Sequence, residues 1–347
     1  MAVEIKTCGP GDAALWDDYV LRAPRGTIFH RFGWRNIIAS VYGYDAIQLM
    51  ALQDNIPVGV LPLFDIRSPL LGRSLIATAF TVGGGVLSEN VDACEALCRE
   101  AEKIGCRRRV KYVEIRSEAA GAAGWIPKTE RYASFELSLI GDADDALKAV
   151  PRKRRAEVRK ALEFQKNGRL SIRFDGSVDE FYELYAVAMR NHGTPVFPKK
   201  YVAALVTEWP EDVEISIVES DGAAIVALLT FYDGINARPY FIGARQNTRG
   251  LRAQEFAYWM TMRRAAERGC TNFDFGRSKI DTGPYKFKKL WGCEPNTLTY
   301  QYKLLVANTL PDVNPNNPKF ELFSNTWKKL PMPIANFVGP FLAPNFP

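Results

Sequence analysis

The most restrictive feature of this sequence is a series of predicted elements that occurs twice along the chain. Each half carries two helices, an antiparallel meander, a long helix and a further strand, as judged from hydrophobic periodicity and intervening turns. The first half has helices at 13–21 and after Phe32, strands at 47–52, 58–66 and 74–78, a helix at 91–105 and strands at 110–115 and 132–139. The second half has a strand at 170–174, helices at 178–191 and 198–208, a hairpin at 213–232, a strand at 237–243, a helix at 251–268 and a strand at 272–275. This duplication predicts two α/β domains of one type, each with a mixed, largely antiparallel sheet.

The repeated order is typical of acetyltransferase-like (GNAT) domains, and the chain is long enough for two of them. At 347 residues it exceeds the size at which one hydrophobic core usually stops growing. We therefore predict an N-terminal GNAT-like domain at 1–150, a C-terminal GNAT-like domain at 151–307 and a proline-rich C-terminal extension at 308–347.

The N-terminal sequence and the cysteine content predict a cytoplasmic protein. No basic stretch leads into an apolar run near the N-terminus, and no window approaches the ~18 unbroken apolar residues that span a bilayer. The six cysteines show no C-x-x-C spacing and are interpreted as reduced core residues. Only two histidines occur, His30 and His192, and they are far apart in sequence, so no metal site is predicted.

The net charge of +6 is concentrated in residues 151–170, where eight basic side chains face two acidic ones, so the remainder of the chain is neutral overall. Helical spacing places Arg152, Arg155 and Arg159 on one face, while Val158 turns toward a core. Such a face either binds a phosphate or an RNA backbone or is simply solvated. Since no aromatic residues interleave the cluster, sequence-specific nucleic-acid recognition is not expected.

The segment from Phe273 to Gly292 has the densest collection of reactive side chains. A strand ends near Gly276 and leads into a polar stretch, and strand ends in α/β folds are where ligands bind. Either a functional site or an ordinary surface loop could explain this composition. The candidate substrate-binding residues in this segment are Arg277, Ser278, Tyr285 and Lys286, next to Lys288 and Lys289.

Two motifs in the second half resemble those of the FemAB-type peptidyltransferases. The family stretch G-x-Y-x-F-K-x-x-[FW]-G is matched at 283–292, and the basic helix K-x-R-x-x-x-R-K-A is matched at 153–161. The resemblance extends over about 14–305. The stretch RNHGTPVFPKKY at 190–201 and the proline-rich tail are similar to shorter members associated with exosortase (PEP-CTERM) and exopolysaccharide loci.

The resemblance implies an acyltransferase that moves an aminoacyl or acyl group directly to an amine of a phosphorylated cell-envelope or exopolysaccharide precursor. It implies an acyl donor as co-substrate, either aminoacyl-tRNA or acyl-CoA, and no other cofactor. It also implies a functional lysine at Lys288, whose ammonium would stabilise the negative charge that develops on the carbonyl oxygen. In FemX-like members a basic residue after a tryptophan contacts substrate phosphate, which makes Trp34 and Arg35 candidate contacts.

Two further candidates lie at the end of a predicted helix. Arg190 and His192 are expected to face the C-terminal site, where His192 either orients substrate or caps the helix. No G-x-S-x-G elbow and no visible Cys-His pair accompany them, so covalent catalysis has no support.

Two other functions stay open on sequence alone. Acyl-CoA binding in this fold uses a [QR]-x-x-G-x-[GA] turn, and residues 247–252 offer a counterpart in which Arg252 replaces the small final residue. Acyl-CoA-dependent N-acyl transfer is therefore an alternative, since an arginine side chain can itself bind phosphate. The other alternative is a non-catalytic tandem fold that binds anions or serves as a scaffold in polysaccharide export.

The tail from Asn308 onward is rich in proline, which predicts an extended strap instead of long helices. This strap either packs over a domain or touches a membrane, since basic and apolar residues together suit an anionic interface. The residues in question are Lys328, Lys329, Leu330, Ile334, Phe337 and Phe341. Membrane contact would place the protein at the inner face of the membrane.

Overall fold

The computed structural model describes residues 2–69, 72–116, 124–139, 143–246, 248–310 and 318–345. The chain forms two compact units. The first comprises Met1–Tyr132, Thr297–Val313 and Pro344–Pro347, and the second comprises Ala133–Asn296 and Asn314–Ala343. These units differ from the predicted divisions near Pro151 and residue 308, because the chain exchanges strands between its two halves.

The first unit is a mixed sheet that packs against a long helix. In chain order it contains β1 (Glu4–Cys8), α1 (Ala13–Arg22), α2 (Trp34–Tyr42), β2 (Asp45–Gln53), β3 (Ile56–Ser68), β4 (Gly72–Ala77), α3 (Val91–Arg107), β5 (Tyr112–Ile115) and most of β13 (Pro295–Leu304). Its strand order is β1-β2-β3-β4-β5-β13, with β4 parallel to β5 and the other neighbours antiparallel. Helix α3 buries Ala93, Leu97 and Ala101, whose spacing of four residues forms one apolar stripe against the sheet.

The second unit repeats this plan around its own core. In chain order it contains the end of β6 (Ile126–Ser138), α4 (Ala143–Ala149), α5 (Arg152–Lys166), β7 (Ser171–Arg173), α6 (Val178–His192), α7 (Lys199–Glu208), β8 (Val213–Ser220), β9 (Ala223–Asp233), β10 (Asn236–Ala244), α8 (Ala253–Glu267), β11 (Asn272–Asp274), β12 (Ser278–Lys279), α9 (Gly283–Lys289), α10 (Pro318–Trp327) and α11 (Met332–Leu342). Its strand order is β6-β11-β10-β9-β8-β7, and only β10 and β11 run parallel within that path.

The repeated topology confirms the predicted tandem fold. In each unit an antiparallel meander leads into a long helix, α3 or α8, and then into a strand parallel to the last meander strand. The strand beyond that parallel pair is exchanged: β13 follows β5 in the first sheet, and β6 follows β11 in the second. Each unit is therefore completed by a strand from the other half of the sequence.

Local sequence signals set the elements that surround the site. The Asp221-Gly222 turn between β8 and β9 has φ values of +50° and +73°, as the predicted two-residue hairpin requires. Helix α6 begins at a capping box of Ser177 and Glu180. It lies so close to β10 that a Cβ at Gly243 would collide with the backbone of α6, so this position requires glycine.

The prediction of an extended strap is wrong, because the described part of the tail forms the helices α10 and α11. Pro331 caps α11 and Pro333 stands in its first turn, where a helix makes no use of the N–H that proline lacks. The third proline, Pro340, lies within the last turn of α11. Among the described residues, no helix is both long and apolar enough to cross a membrane.

The six cysteines, all within the described residues, form no disulfide bonds with one another, and five of them are buried as predicted. Cys106 is exposed, so the prediction of a core position is wrong for that residue. Over the described residues, no group of three or more His, Cys, Asp or Glu side chains is arranged to hold a metal ion.

Candidate functional site

A cavity of about 1070 Å³ opens in the second unit where β10 and β11 separate. These parallel strands pair only at Asn236 with Asn272 and at Ala237 with Phe273. Strand β11 then ends, whereas β10 continues to Ala244, and its far part lines the cavity. The remaining walls come from helices: Lys153, Arg154 and Glu157 of α5, Asn191 and His192 of α6, residues 252–255 and Tyr258 at the start of α8, and Phe287 and Lys288 of α9.

Lys288 is a buried cation in the wall of this cavity, with 7% of the residue exposed. Its Nζ donates hydrogen bonds of 3.0 Å to both Gly276 O and Arg277 O, and it lies 5.7 Å from the centre of the Phe135 ring. The loop that supplies the two carbonyls is held by Asp274, whose Oδ1 accepts from Gly276 N at 2.7 Å. Because an ammonium has three N–H donors, one remains for a ligand in the cavity.

The charge on Lys288 is destabilised by its surroundings. Burial lowers the pKa of Lys288 to about 8, and the more distant carboxylate of Asp274 offsets only part of that effect. Among the described residues, no carboxylate lies within 4.0 Å of Lys288, and Asp274 itself forms an ion pair with Arg238. The cavity therefore contains a desolvated cation whose third N–H can donate to an anion.

Arg154 is a wall residue that the sequence reasoning missed. It is 4% exposed, and its guanidinium forms an ion pair with Glu255 in the first turn of α8. It also lies over the rings of Phe287 and Trp291, at 4.6 and 5.3 Å from their centres. A signal was present, since Arg154 precedes the core residue Val158 by four positions and so shares its helix face.

The beginning of α8 is open toward the same cavity. Arg252 occupies the N-cap with φ +55°, gives no side-chain cap, and forms an ion pair with Glu157. Ala253 and Gln254 of the first turn line the cavity, and the first-turn amides of a helix are favourable partners for an anion. The first residue of the predicted phosphate turn, Asn247, lies outside the described residues.

The other candidates from the 273–292 segment surround Lys288 without lining the cavity. Tyr285 packs edge-on against Phe135 at 5.2 Å, and Ser278 is a buried residue of β12. Lys286 and Lys289 are exposed on α9. Arg277 is half-buried and contributes its carbonyl to Lys288. This segment was predicted as a loop, but residues 283–289 form a helix that turns Lys288 inward.

The two candidates at the end of α6 have different surroundings. His192 lines the cavity at an exposed edge, and desolvation together with the charge of Lys328 lowers its pKa. The helix is capped by Gly193 in the left-handed region, so His192 itself is not the cap residue. Arg190 points elsewhere: its Nη1 donates to Leu330 O at 3.2 Å and holds the segment between α10 and α11.

The remaining candidates lie outside the cavity. Trp34 is fully buried in the first unit, where its indole N–H donates to Ile28 O at 2.7 Å, and Arg35 lies 5.9 Å from the Phe32 ring. Arg155 is half-buried and Arg159 is exposed on α5, on a different face from Arg154. Neither Arg155 nor Arg159 lines the cavity.

Tyr258 is a second wall residue that sequence reasoning missed. It is 6% exposed, and burial raises the pKa of its hydroxyl. Over the described part of the chain, no protein group forms a hydrogen bond with this hydroxyl, while its ring packs 5.4 Å from both Phe275 and Phe287. The apolar periodicity of α8 marked this position only as core, because a tyrosine on a core face gives no signal of the cavity beside it.

Comparison with known proteins agrees with this geometry. Residues 152–289, which include most of the cavity wall, match the acetyltransferase (GNAT) domain family. No curated protein sequence matches the chain.

Solved structures match over nearly the full length. The crystal structure of FemX matches with a TM-score of 0.69 at 15% identity, over 92% of this chain and 100% of that chain. The C-terminal domain of a putative lysylphosphatidylglycerol synthetase from Agrobacterium fabrum matches with a TM-score of 0.55 at 13% identity, over 84% and 91%. A tandem GNAT protein from the clavulanic acid biosynthesis pathway matches with a TM-score of 0.53 at 12% identity, over 87% and 98%. The chain therefore has the tandem GNAT fold, and residues 152–289 of its second half match the GNAT domain family.

Proposed function

We propose that this protein transfers an aminoacyl or acyl group to an amine of a phosphorylated cell-envelope or exopolysaccharide precursor, with the cavity of the second unit as its active site. The observation that carries the proposal is Lys288, a buried cation without a carboxylate within ion-pair distance among the described residues. The GNAT domain match and the likeness in fold to FemX support a transferase. The amine acceptor and the link to exosortase loci come from the sequence resemblance and stay predictions.

The proposed reaction is a direct acyl transfer. The acceptor amine attacks the carbonyl carbon of an acyl ester or thioester, forming a C–N bond and placing negative charge on the carbonyl oxygen. The third N–H of Lys288 donates to this oxygen, and the low-dielectric cavity makes that hydrogen bond strong. Collapse of the intermediate breaks the C–O or C–S bond, and the leaving group takes up the proton that the amine gives off.

The cavity also contains groups suited to the phosphates of either substrate. The first turn of α8 lines the cavity, where its amides would bind an anionic group, and Lys153 and Arg252 lie at the same wall. We assign Arg155 and Arg159, on another face of α5, to a longer substrate or donor that extends past the cavity. Tyr258 is suited to hydrogen-bond a substrate group, because its hydroxyl is desolvated at the cavity wall.

A second candidate is transfer from acyl-CoA, and the open start of α8 favours it. Bare amides at this position suit a pyrophosphate. Arg252 counts against it, because a bulky residue tied to Glu157 stands where the cofactor needs close backbone approach. We therefore prefer an aminoacyl donor such as aminoacyl-tRNA, with the protein acting in the cytoplasm.

Mass spectrometry of cell-envelope precursors from cells with and without the protein tests the proposal. An acyl or aminoacyl mass difference is expected, and it should be restored by the wild-type chain and by Lys286→Ala but not by Lys288→Ala. Identical precursor masses in all four strains would contradict the proposal.

A further inference from the structure

The last helix of the second unit has its large apolar side chains on the outside. Ala335 and Gly339 face inward, and a Cβ at Gly339 would lie 3.0 Å from Val196 Cγ1, so only a small residue fits there. Ile334, Phe337 and Phe341 are 48%, 72% and 70% exposed. Their i, i+3, i+7 spacing places them on one helix face. A helix that packs on a core in water normally has the opposite arrangement.

Positive charge lies beside this apolar face. From Leu322 to Asn345 the sequence contains Lys328 and Lys329 and neither Asp nor Glu. Both lysines are exposed in the turn between α10 and α11, and Leu322 on α10 is 70% exposed. The combination of aromatic side chains with cations and without carboxylates is typical of surfaces that lie on anionic lipid.

The surface is held in a fixed position on the second unit. Trp327 is 4% exposed and anchors the end of α10, while Arg190 holds Leu330 through the hydrogen bond described above. At Gly193, next to His192, a Cβ would collide with Ser324 of α10. The rings of Phe337 and Phe341 also pack against each other, with centres 5.7 Å apart. The side chains are therefore presented on an ordered scaffold that adjoins the α6 end of the cavity.

We propose that Lys328, Lys329, Ile334, Phe337 and Phe341 form a docking surface for the anionic face of a lipid bilayer. The phenylalanines enter the boundary between headgroups and acyl chains, and the lysines contact lipid phosphates. Charge favours this occupant over a second copy of the chain, because a two-fold contact through this surface brings lysines toward lysines. Docking would bring the cavity close to a lipid-linked acceptor, but the inference does not depend on the transfer reaction.

Flotation of the full chain with lipid vesicles tests this inference. Vesicles of phosphatidylcholine with about 30% phosphatidylglycerol are compared with pure phosphatidylcholine at ~0.1 M salt. We expect binding to the anionic vesicles, at least a tenfold loss of partitioning in Phe337→Ser/Phe341→Ser, and a severalfold loss with a weaker salt dependence in Lys328→Ala/Lys329→Ala. The matched controls are Ile235→Ser/Val306→Ser, which removes two side chains of similar exposure, and Lys160→Ala/Lys166→Ala, which removes the same charge.

Two results would overturn the inference. One is equal partitioning of the wild-type chain and the double phenylalanine variant, with melting curves that show both to be folded. The other is a wild-type dimer, seen by light scattering, that ignores vesicles and becomes monomeric in the phenylalanine variant, since the surface would then serve a second copy.

Discussion

The two units share a topology and both contain buried ion pairs, but the second unit also contains a buried cation, Lys288, without a carboxylate partner among the described residues. In the first unit, Arg116 donates to Glu114 at 2.7 Å and to Thr81 O at 2.8 Å, and Asp65 is bound by two arginines. In the second unit, Lys288 is equally buried but is held only by two carbonyls. A buried charge that is neutralised by an ion pair stabilises one conformation. A buried cation without a counter-ion lowers the stability of the fold and strengthens the binding of an anionic ligand.

The same contrast appears at the long helices. In the first unit, β4 ends one residue after its last pairing with β5, and Asn90 caps α3 by accepting from Ala93 N. In the second unit, β10 runs on past β11, and α8 begins without a side-chain cap. The long helix is therefore capped by a side chain in the first unit and begins without one at the 1070 Å³ cavity of the second unit, which agrees with the proposed site.

The largest expected effect is on stability in the first unit. Arg116→Met leaves Glu114 buried without its partner, which should lower the free energy of unfolding by about 3–5 kcal/mol. Arg107→Met, which breaks an exposed ion pair with Glu100, should cost less than about 1 kcal/mol. Urea unfolding followed by tryptophan fluorescence measures both. Equal effects of the two substitutions would show that the first unit does not depend on its buried pairs.

A second test concerns the cost of burying Lys288. The unfolded chain keeps the lysine proton up to a pKa of about 10.5, whereas the folded chain loses it near 8, so the unfolded state binds more protons between these values. The stability of the wild type should therefore rise with pH relative to Lys288→Met, by about 3 kcal/mol over the full interval. Urea titrations of both proteins from neutral to alkaline pH measure this difference. Parallel pH curves would mean that Lys288 is as well stabilised as Arg116.

A smaller effect is expected on the affinity for acetyl-CoA when the start of α8 is changed. We expect calorimetry to show acetyl-CoA binding weaker than ~10 μM for the wild type. Glycine tolerates the φ of +55° at position 252, so Arg252→Gly should open the amides and tighten binding about tenfold. Asn90→Gly at the closed helix start of the first unit is the control and should change nothing. Tight binding by the wild type that weakens in Arg252→Gly would instead favour the acyl-CoA reaction.

The sequence was sufficient for the repeated topology because it rests on local signals. The Asp221-Gly222 turn, the apolar run of β9 and the glycine after α6 each determine an element from neighbouring residues. The exchange of β6 and β13 could not be predicted, since each strand pairs with residues more than 100 positions away. The prediction of a strap for the tail was wrong because proline is compatible with a helix N-cap and first turn, where Pro331 and Pro333 lie.

The sequence predicted only part of the site, because local motifs do not show how distant segments pack. The motif at 283–292 identified Lys288, but the ion pair of Arg154 with Glu255 joins residues 101 positions apart and depends on how α5 packs on α8. Arg190 and Trp34 fitted a binding pattern in sequence, yet each donates a hydrogen bond to a backbone carbonyl within the fold. Patterns identify residue types, whereas packing decides which of them face the cavity.

The central claim is that the second unit catalyses acyl transfer through Lys288, and single-turnover kinetics tests it most directly. The measurement uses the substrates found by mass spectrometry, with Lys286→Ala and Lys289→Ala as controls, because these lysines lie on the same helix but are exposed. Loss of one donor to the developing oxyanion should slow Lys288→Ala by about 10²–10³-fold, with an unchanged circular dichroism spectrum. The controls should stay near the wild-type rate. A folded Lys288→Ala variant that transfers at the wild-type rate would contradict the claim.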